Sequence, residues 1–271
     1  MALEISLEDV SLVYNRGTHL ELKALEGVSV TFRNDESVLL LGHTGSGKST
    51  LLKVISQLLR PSEGRVLING RECSEPKIFM KKIGICFQFP EDQFLCETVF
   101  DEIAFASRNF NLDQIESRVM KAIEAVGLDE TYLDKSPFSL SQGEARKVAL
   151  ASVIAHEPDL LLLDEPFIAL DYQGKHVIRS FVRSWIQQRH GLILVSHSLD
   201  HTIDLVNRVI VLESGKIVYD GSVENFIFEN AAQRSKLQSE VVEIWYQLLK
   251  LGEKPSSLED LIQKAADRII V

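Results

Sequence analysis

Eight consecutive residues, Gly42-His43-Thr44-Gly45-Ser46-Gly47-Lys48-Ser49, carry the spacing G-x-x-x-x-G-K-[ST], with Thr50 continuing the run. Glycines at these places let successive backbone N–H groups point into one concavity, which is a cradle for phosphate oxygens. A helix starting at the end of the run adds its unpaired N–H groups and the positive end of its dipole. Lys48 is then the cation that reaches the β- and γ-phosphates, and Ser49 the hydroxyl that ligates magnesium. The chemistry indicated is binding of a nucleotide's phosphate chain together with Mg2+. A dinucleotide fingerprint is excluded by spacing, because G-x-G-x-x-G would need glycine where Thr50 stands.

A second cluster lies far along the chain. The apolar run Leu160 to Leu163 leads directly into Asp164-Glu165-Pro166, which puts two carboxylates at the C-terminal end of a buried strand, where phosphates lie in such sheets. Asp164 is expected to hold magnesium through water, and Glu165 to polarise the attacking water. His197 and His201 have the i, i+4 spacing of a zinc pair, but no Glu follows His197 and no further ligand is evident.

These groups need elements that bring them to one edge. Ser37 to Leu41 reads as a buried strand before the glycine-rich turn, and Ser49 to Leu59 as a helix, with Leu51, Leu52, Ile55, Leu58 and Leu59 at helical spacing. Leu3, Ile5 and Leu7 alternate with polar neighbours, and Leu25 to Phe32 has similar character, which predicts an antiparallel entry sheet. Strands are expected at 65–69 and 83–87, then a helix-rich stretch from about 97 to 155. Leu160 to Leu163 and Leu192 to Val195 are the unbroken apolar runs of a parallel sheet covered on both faces, with a helix from Gln173 to Gln188 between them. Glu213-Ser214-Gly215 marks a hairpin between Val209–Leu212 and Lys216–Tyr219. From about Ala232 two amphipathic segments follow, carrying Trp245, Leu248 and Leu249 and then Leu258, Leu261 and Ile262. The expected organisation is α/β: a mostly parallel sheet over residues 1–231 with an antiparallel β subdomain and a helical subdomain at about 95–156, and a C-terminal helical appendage over 232–271.

Composition narrows the function classes. Acidic residues outnumber basic ones 39 to 29, a net charge of -10, so phosphate binding must be local and no nucleic-acid partner is expected. Cys73, Cys86 and Cys96 lack C-x-x-C spacing, which argues against a disulfide framework or zinc site and for a reducing compartment. The first residues lack a signal peptide's basic segment and apolar block, and no window approaches eighteen apolar residues.

Further short motifs follow in a telling order: Tyr14, Gln88, Leu140-Ser141-Gln142-Gly143-Glu144, Ala169-Leu170-Asp171 and His197. With the phosphate loop and the carboxylate pair, the chain over about residues 3–230 resembles the ATP-binding-cassette ATPases, whose core is a P-loop NTPase fold. The resemblance implies that Tyr14 stacks on adenine, that Gln88 senses magnesium, water and the transport partner, and that His197 contacts the γ-phosphate. It further implies that Ser141 and Gly143 touch the nucleotide held by a second ATPase subunit, in a homo- or heterodimer. Phe87-Gln88-Phe89-Pro90-Glu91-Asp92-Gln93 is similar to the F-Q-x-P-E-D-Q pattern of ATPase subunits in energy-coupling-factor importers of vitamins or cobalt and nickel ions. The partners then implied are a transmembrane coupling subunit and a substrate-binding membrane subunit, at the cytoplasmic face of the membrane. In that group a C-terminal extension helps the ATPase subunits dimerise, a role that suits the appendage. Glu91 and Asp92, after a proline, are expected to be exposed toward a coupling helix of the membrane partner.

The signature departs from the family's usual Leu-Ser-Gly-Gly-Gln. Ser141 and Glu144 have the spacing of a capping box, in which each side chain satisfies the other's backbone donor. An anion there opposes an incoming phosphate, and Gln142 adds bulk where glycine allows close approach. The alternatives are an ATPase of another transporter of this superfamily, or a nucleotide-binding regulator of low turnover. A chromosome-organising ATPase is excluded, because only about ninety residues separate Ser49 from Leu140, too few for a long coiled-coil insertion.

Overall fold

The alternating segments at the start of the chain pair with one another: β1 (Glu4–Tyr14) runs antiparallel to β2 (Leu22–Arg33), with Ile5 opposite Phe32 and Leu7 opposite Val30. The computed structural model describes residues 3–72, 79–89, 94–197, 199 and 202–228, with isolated positions 247, 252, 260 and 264. The appendage expected over 232–271, the Pro90-Glu91-Asp92-Gln93 segment, Cys73 and His201 lie outside the described residues, those isolated positions aside.

The chain continues through β3 (Ser37–Leu41), α1 (Lys48–Ile55), β4 (Glu63–Ile68), β5 (Arg71–Glu72) and β6 (Ile83–Cys86). Three helices follow, α2 (Val99–Asn109), α3 (Ile115–Ala125) and α4 (Gln142–Ile154), occupying the stretch expected to be helical. Then come β7 (Leu160–Asp164), α5 (Tyr172–Gln187), β8 (Gly191–Ser196), β9 (Arg208–Glu213), β10 (Lys216–Ser222) and α6 (Val223–Phe228). Strands β2-β1-β4-β5 form one antiparallel sheet, and β10-β9-β3-β8-β7-β6 form a second that is parallel except for the β9–β10 pair.

All five residues of β3 and of β7 are buried, because both faces of the second sheet are covered. Period-two geometry divides their side chains between two cores. Val38, Leu40, Leu160 and Leu162 join the core beneath α1 and the antiparallel sheet. Leu39, Leu41, Leu161 and Leu163 join the core built with α2, α4 and α5. The sheet therefore holds its C-terminal strand ends rigidly from both sides, and the loops leaving those ends carry the groups of interest.

Several boundaries differ from the sequence reading. The helix expected to reach Leu59 stops at Ile55, and Gln57 takes a left-handed φ of 61° that carries the chain out of helical geometry. The strand expected to reach Phe87 ends at Cys86, and β10 extends to Ser222. The hairpin is tighter than drawn. Glu213 pairs with Lys216, so the turn is Ser214-Gly215, with φ of 48° and 79° as a type I′ turn requires. Among the described residues no helix is long and apolar enough to cross a membrane.

Candidate functional site

The glycine-rich loop joins β3 to α1, and close packing dictates its residues. A Cβ on Gly42 would lie 2.3 Å from the Leu212 carbonyl oxygen, and one on Gly47 would lie 2.5 Å from that of Ala24. Gly47 is the N-cap of α1, with a left-handed φ of 105°, no side chain capping the helix and no acid in the first turn. The first-turn N–H groups are thus left for an external anion.

Lys48 folds back across this loop, donating from Nζ to the carbonyls of Gly42 at 2.6 Å and His43 at 3.0 Å. Burial pulls its ammonium below the usual lysine range, while the charges of Glu165 and Asp164 oppose that shift. The Ser49 hydroxyl donates to Asp164 Oδ2 at 2.7 Å, across 115 residues of sequence. Burial raises Asp164 above the usual carboxyl range, held back by that hydrogen bond and by Lys48, Lys53 and Arg146.

Beyond Asp164 the chain turns sharply. Glu165 adopts φ 53°, and its amide donates to the Val195 carbonyl at 3.1 Å, tying the end of β7 to β8. This conformation is unfavourable for a residue with a Cβ. It leaves Glu165 Oε1 2.8 Å from His197 Nδ1, so the loops after β7 and β8 present a carboxylate–imidazole pair. The Glu165 side chain is buried, whereas His197 is 58% exposed and open to a ligand from the cleft side.

These groups wall a cleft of about 410 Å³. Thr44, Gly45, Gly47, Lys48, Ser49 and Thr50 line its floor; Gln88, Asp164, Glu165, Ile168 and His197 line one side. Tyr14, Leu22, Lys23 and Ala24 form the far wall, where Tyr14 stands 3.3 Å from the Thr50 hydroxyl through its own. A polar floor with an aromatic and aliphatic wall suits a phosphate chain continued by a flat base. Of the loop residues singled out above, Gly42, His43 and Ser46 support the floor without lining it: His43 and Gly42 supply carbonyls to Lys48. Among the described residues no group of three or more His, Cys, Asp or Glu could hold a metal.

Ser141 and Gly143 do not line the cleft; they begin α4. The capping box is present. The Ser141 hydroxyl accepts from the Glu144 amide at 3.4 Å, and Glu144 Oε2 accepts from the Ser141 amide at 2.8 Å and hydroxyl at 2.7 Å. Tyr132 donates to Glu144 Oε1 at 2.7 Å, and Lys135 Nζ lies 3.5 Å from the centroid of the Tyr132 ring. The Ser141 hydrogen bonds, then that of Tyr132, hold the Glu144 carboxyl down to about 2.

One residue of this region escaped the sequence reading. Arg146, 4% exposed, donates from Nη1 to the Glu165 carbonyl and from Nη2 to the Gln88 carbonyl, each at 2.8 Å. Its acceptors are main-chain oxygens 19 and 58 positions away, which no local pattern announces.

Known proteins resemble this chain in sequence and in fold. Residues 25–168 match the family model described as ABC transporter. The energy-coupling factor transporter ATP-binding protein EcfA2 of Thermotoga maritima is 44% identical over 262 residues, covering 95% of this chain and 96% of the relative. EcfA2 of Symbiobacterium thermophilum is 42% identical over 243 residues, covering 88% and 83%. Among solved structures, cbiO1 from Clostridium perfringens, part of the ABC transporter complex cbiONQ, superposes with a TM-score of 0.72 at 27% identity, covering 92% of this chain and 96% of that one. An ATP-binding cassette solved as a dimer in a post-hydrolysis state with ADP and phosphate gives a TM-score of 0.73 at 25% identity, covering 81% and 98%.

Proposed function

Because the chain belongs to the ABC transporter family, and within it to the ATP-binding subunits of energy-coupling factor transporters, we propose that the cleft between the phosphate loop, Tyr14 and the ends of β7 and β8 is where it hydrolyses ATP to drive import. The protein is an ATPase. The observation that carries the site assignment is the meeting, at one sheet edge, of the Ser49–Asp164 hydrogen bond with the Glu165–His197 pair.

In this reading Tyr14 supports the base and the first-turn amides of α1 hold the phosphates. Lys48 exchanges its loop carbonyls for β- and γ-phosphate oxygens. Ser49 and Asp164 place two hard oxygens side by side, with Gln88 on the same wall, a donor set that fits Mg2+ completed by phosphate oxygens and water. The metal, when bound, neutralises charge developing on the transferred phosphoryl group. Glu165 orients the attacking water and accepts its proton, while His197 orients Glu165 and donates toward the γ-phosphate. Most of the acceleration then comes from positioning and electrostatics.

A dimer with a second ATPase subunit brings Ser141 and Gly143 of one protomer to the nucleotide of the other, and membrane subunits dock at the cytoplasmic face beside the segment following Gln88. The substrate class is a vitamin or a transition-metal ion. Exposed Phe89 and Leu95 flank that segment, while Phe94 is buried edge-on against Phe138. The appendage from 232 onward serves dimerisation, so deleting 235–271 is expected to leave an ATP-binding domain that sediments as a monomer.

Glu165→Gln tests the assignment. It is expected to bind ATP normally while steady-state hydrolysis falls by about a hundredfold or more, the scale for a lost general base. Turnover near that of the wild type would end the reading.

A further inference from the structure

Arg146 is the fifth residue of α4, two residues beyond the signature, and its side chain crosses to the cleft's back wall. The two carbonyls it grips belong to adjacent parallel strands just past the end of their ladder. Pairing of β6 with β7 ends at Cys86 opposite Leu163, and Gln88 and Glu165 each lie two residues further on. Where ladder hydrogen bonds cease, the two N–H arms of the guanidinium continue the link, each at 2.8 Å. A planar fork with fixed divergence sets the separation of both carbonyls at once, which a single ammonium cannot do.

The grip falls on a residue in an unfavourable conformation. The Glu165 amide is tied to Val195 and its carbonyl to Arg146, so both flanking peptide planes are anchored while φ stands at 53°. Those anchors aim the carboxylate at His197. Because the guanidinium rides on α4, that helix cannot shift relative to the cleft without breaking bonds to Gln88 and Glu165.

We propose that Arg146 is a positioning residue for ATP hydrolysis, fixing the main chain of Glu165 and of Gln88 so that the carboxylate meets the attacking water in register. The proposal rests on the assignment of Glu165 given above.

Its test uses the full-length chain in its transporter complex, with Arg146→Lys, Arg146→Met and Arg146→Gln, reading kcat, KM, equilibrium affinity for a non-hydrolysable ATP analogue and Tm. For Arg146→Lys, kcat is expected to fall roughly tenfold to a hundredfold, the cost of a carboxylate misplaced by an ångström or so, with analogue affinity within about threefold of wild type. In the Glu165→Gln background the same change is expected to add no further loss, since residues acting as a unit are non-additive. Wild-type kcat in Arg146→Lys, losses in affinity and Tm that account for the drop in kcat, or a multiplicative double variant would each overturn the proposal. Should Arg146→Met not fold, the lysine and glutamine variants decide. Failure of the underlying assignment looks different: Glu165→Gln itself would then turn over at the wild-type rate.

Discussion

Helices α1 and α4 are both expected to face phosphate, one in its own cleft and one across a dimer. Their first turns are nevertheless finished differently. At α1 the N-cap is Gly47, and no side chain caps the helix. At α4 the N-cap is Ser141, and Glu144 at the third helical position closes the turn, with Tyr132 holding its other oxygen. An N-terminus binds an external anion when its donors are left unspent. One that supplies its own carboxylate gains helix stability and gives up part of that capacity. In the dimer proposed above, a tight phosphate site would then be paired with a weaker, reversible contact to the partner's nucleotide, as reopening after hydrolysis requires.

The contrast is broken most severely by giving α1 the finish of α4. Thr50 occupies the position in α1 that Glu144 occupies in α4, so Thr50→Glu places a carboxylate against the triphosphate. ATP affinity measured by equilibrium binding is expected to drop by about a hundredfold or more, as for an unscreened like charge at close range. Affinity within threefold of wild type would show that the first turn of α1 does not hold the phosphates.

Glu144→Ala is a smaller perturbation. Losing the cap is expected to cost about 1 kcal/mol and lower Tm by roughly 2 to 4 °C, while nucleotide affinity of the isolated chain stays unchanged. Glu144→Gln keeps an acceptor and the cap, so turnover should change little. If instead it tightens ATP-dependent dimerisation by tenfold or so, the carboxylate faces the partner's phosphate and the capping account fails.

The least effect concerns acid. With the Glu144 carboxyl held down to about 2 when folded, below its ordinary value near 4.3, its contribution is complete above that ordinary value. It is lost as pH falls from about 4 toward 2. Acid unfolding followed by circular dichroism should therefore be slightly shallower in Glu144→Gln over that interval. Identical profiles would show that the cap adds no pH-dependent stability.

What could be read beforehand was what is contiguous. The phosphate loop, the apolar run ending at Asp164-Glu165 and the Ser141–Glu144 spacing are local patterns, and the structure places each at the strand end or helix start expected. Tyr132 as a latch on Glu144 was not legible, because its partner is 12 residues away across an irregular stretch. Arg146 was hidden for a stronger reason: it recognises carbonyls, which every residue possesses, so nothing in the identity of Gln88 or Glu165 points to it. The early stop of α1 depended on Gln57 adopting positive φ, a place where glycine or asparagine would have given warning.

The order of strands has a consequence for how the chain is made. β3, which leads into the phosphate loop, lies between β8 and β9, and both neighbours come about 150 residues after it. While a ribosome extends the chain from its N-terminus, the four apolar residues of β3 have no hydrogen-bonding neighbour until β8 has emerged at Ser196, and one edge stays open until β9 has emerged at Glu213. An unpaired apolar strand is a template for association between nascent chains. Fragments ending before β9 are therefore expected to be insoluble, and a fluorescent ATP analogue added to arrested nascent chains should register binding only after that strand has cleared the exit tunnel.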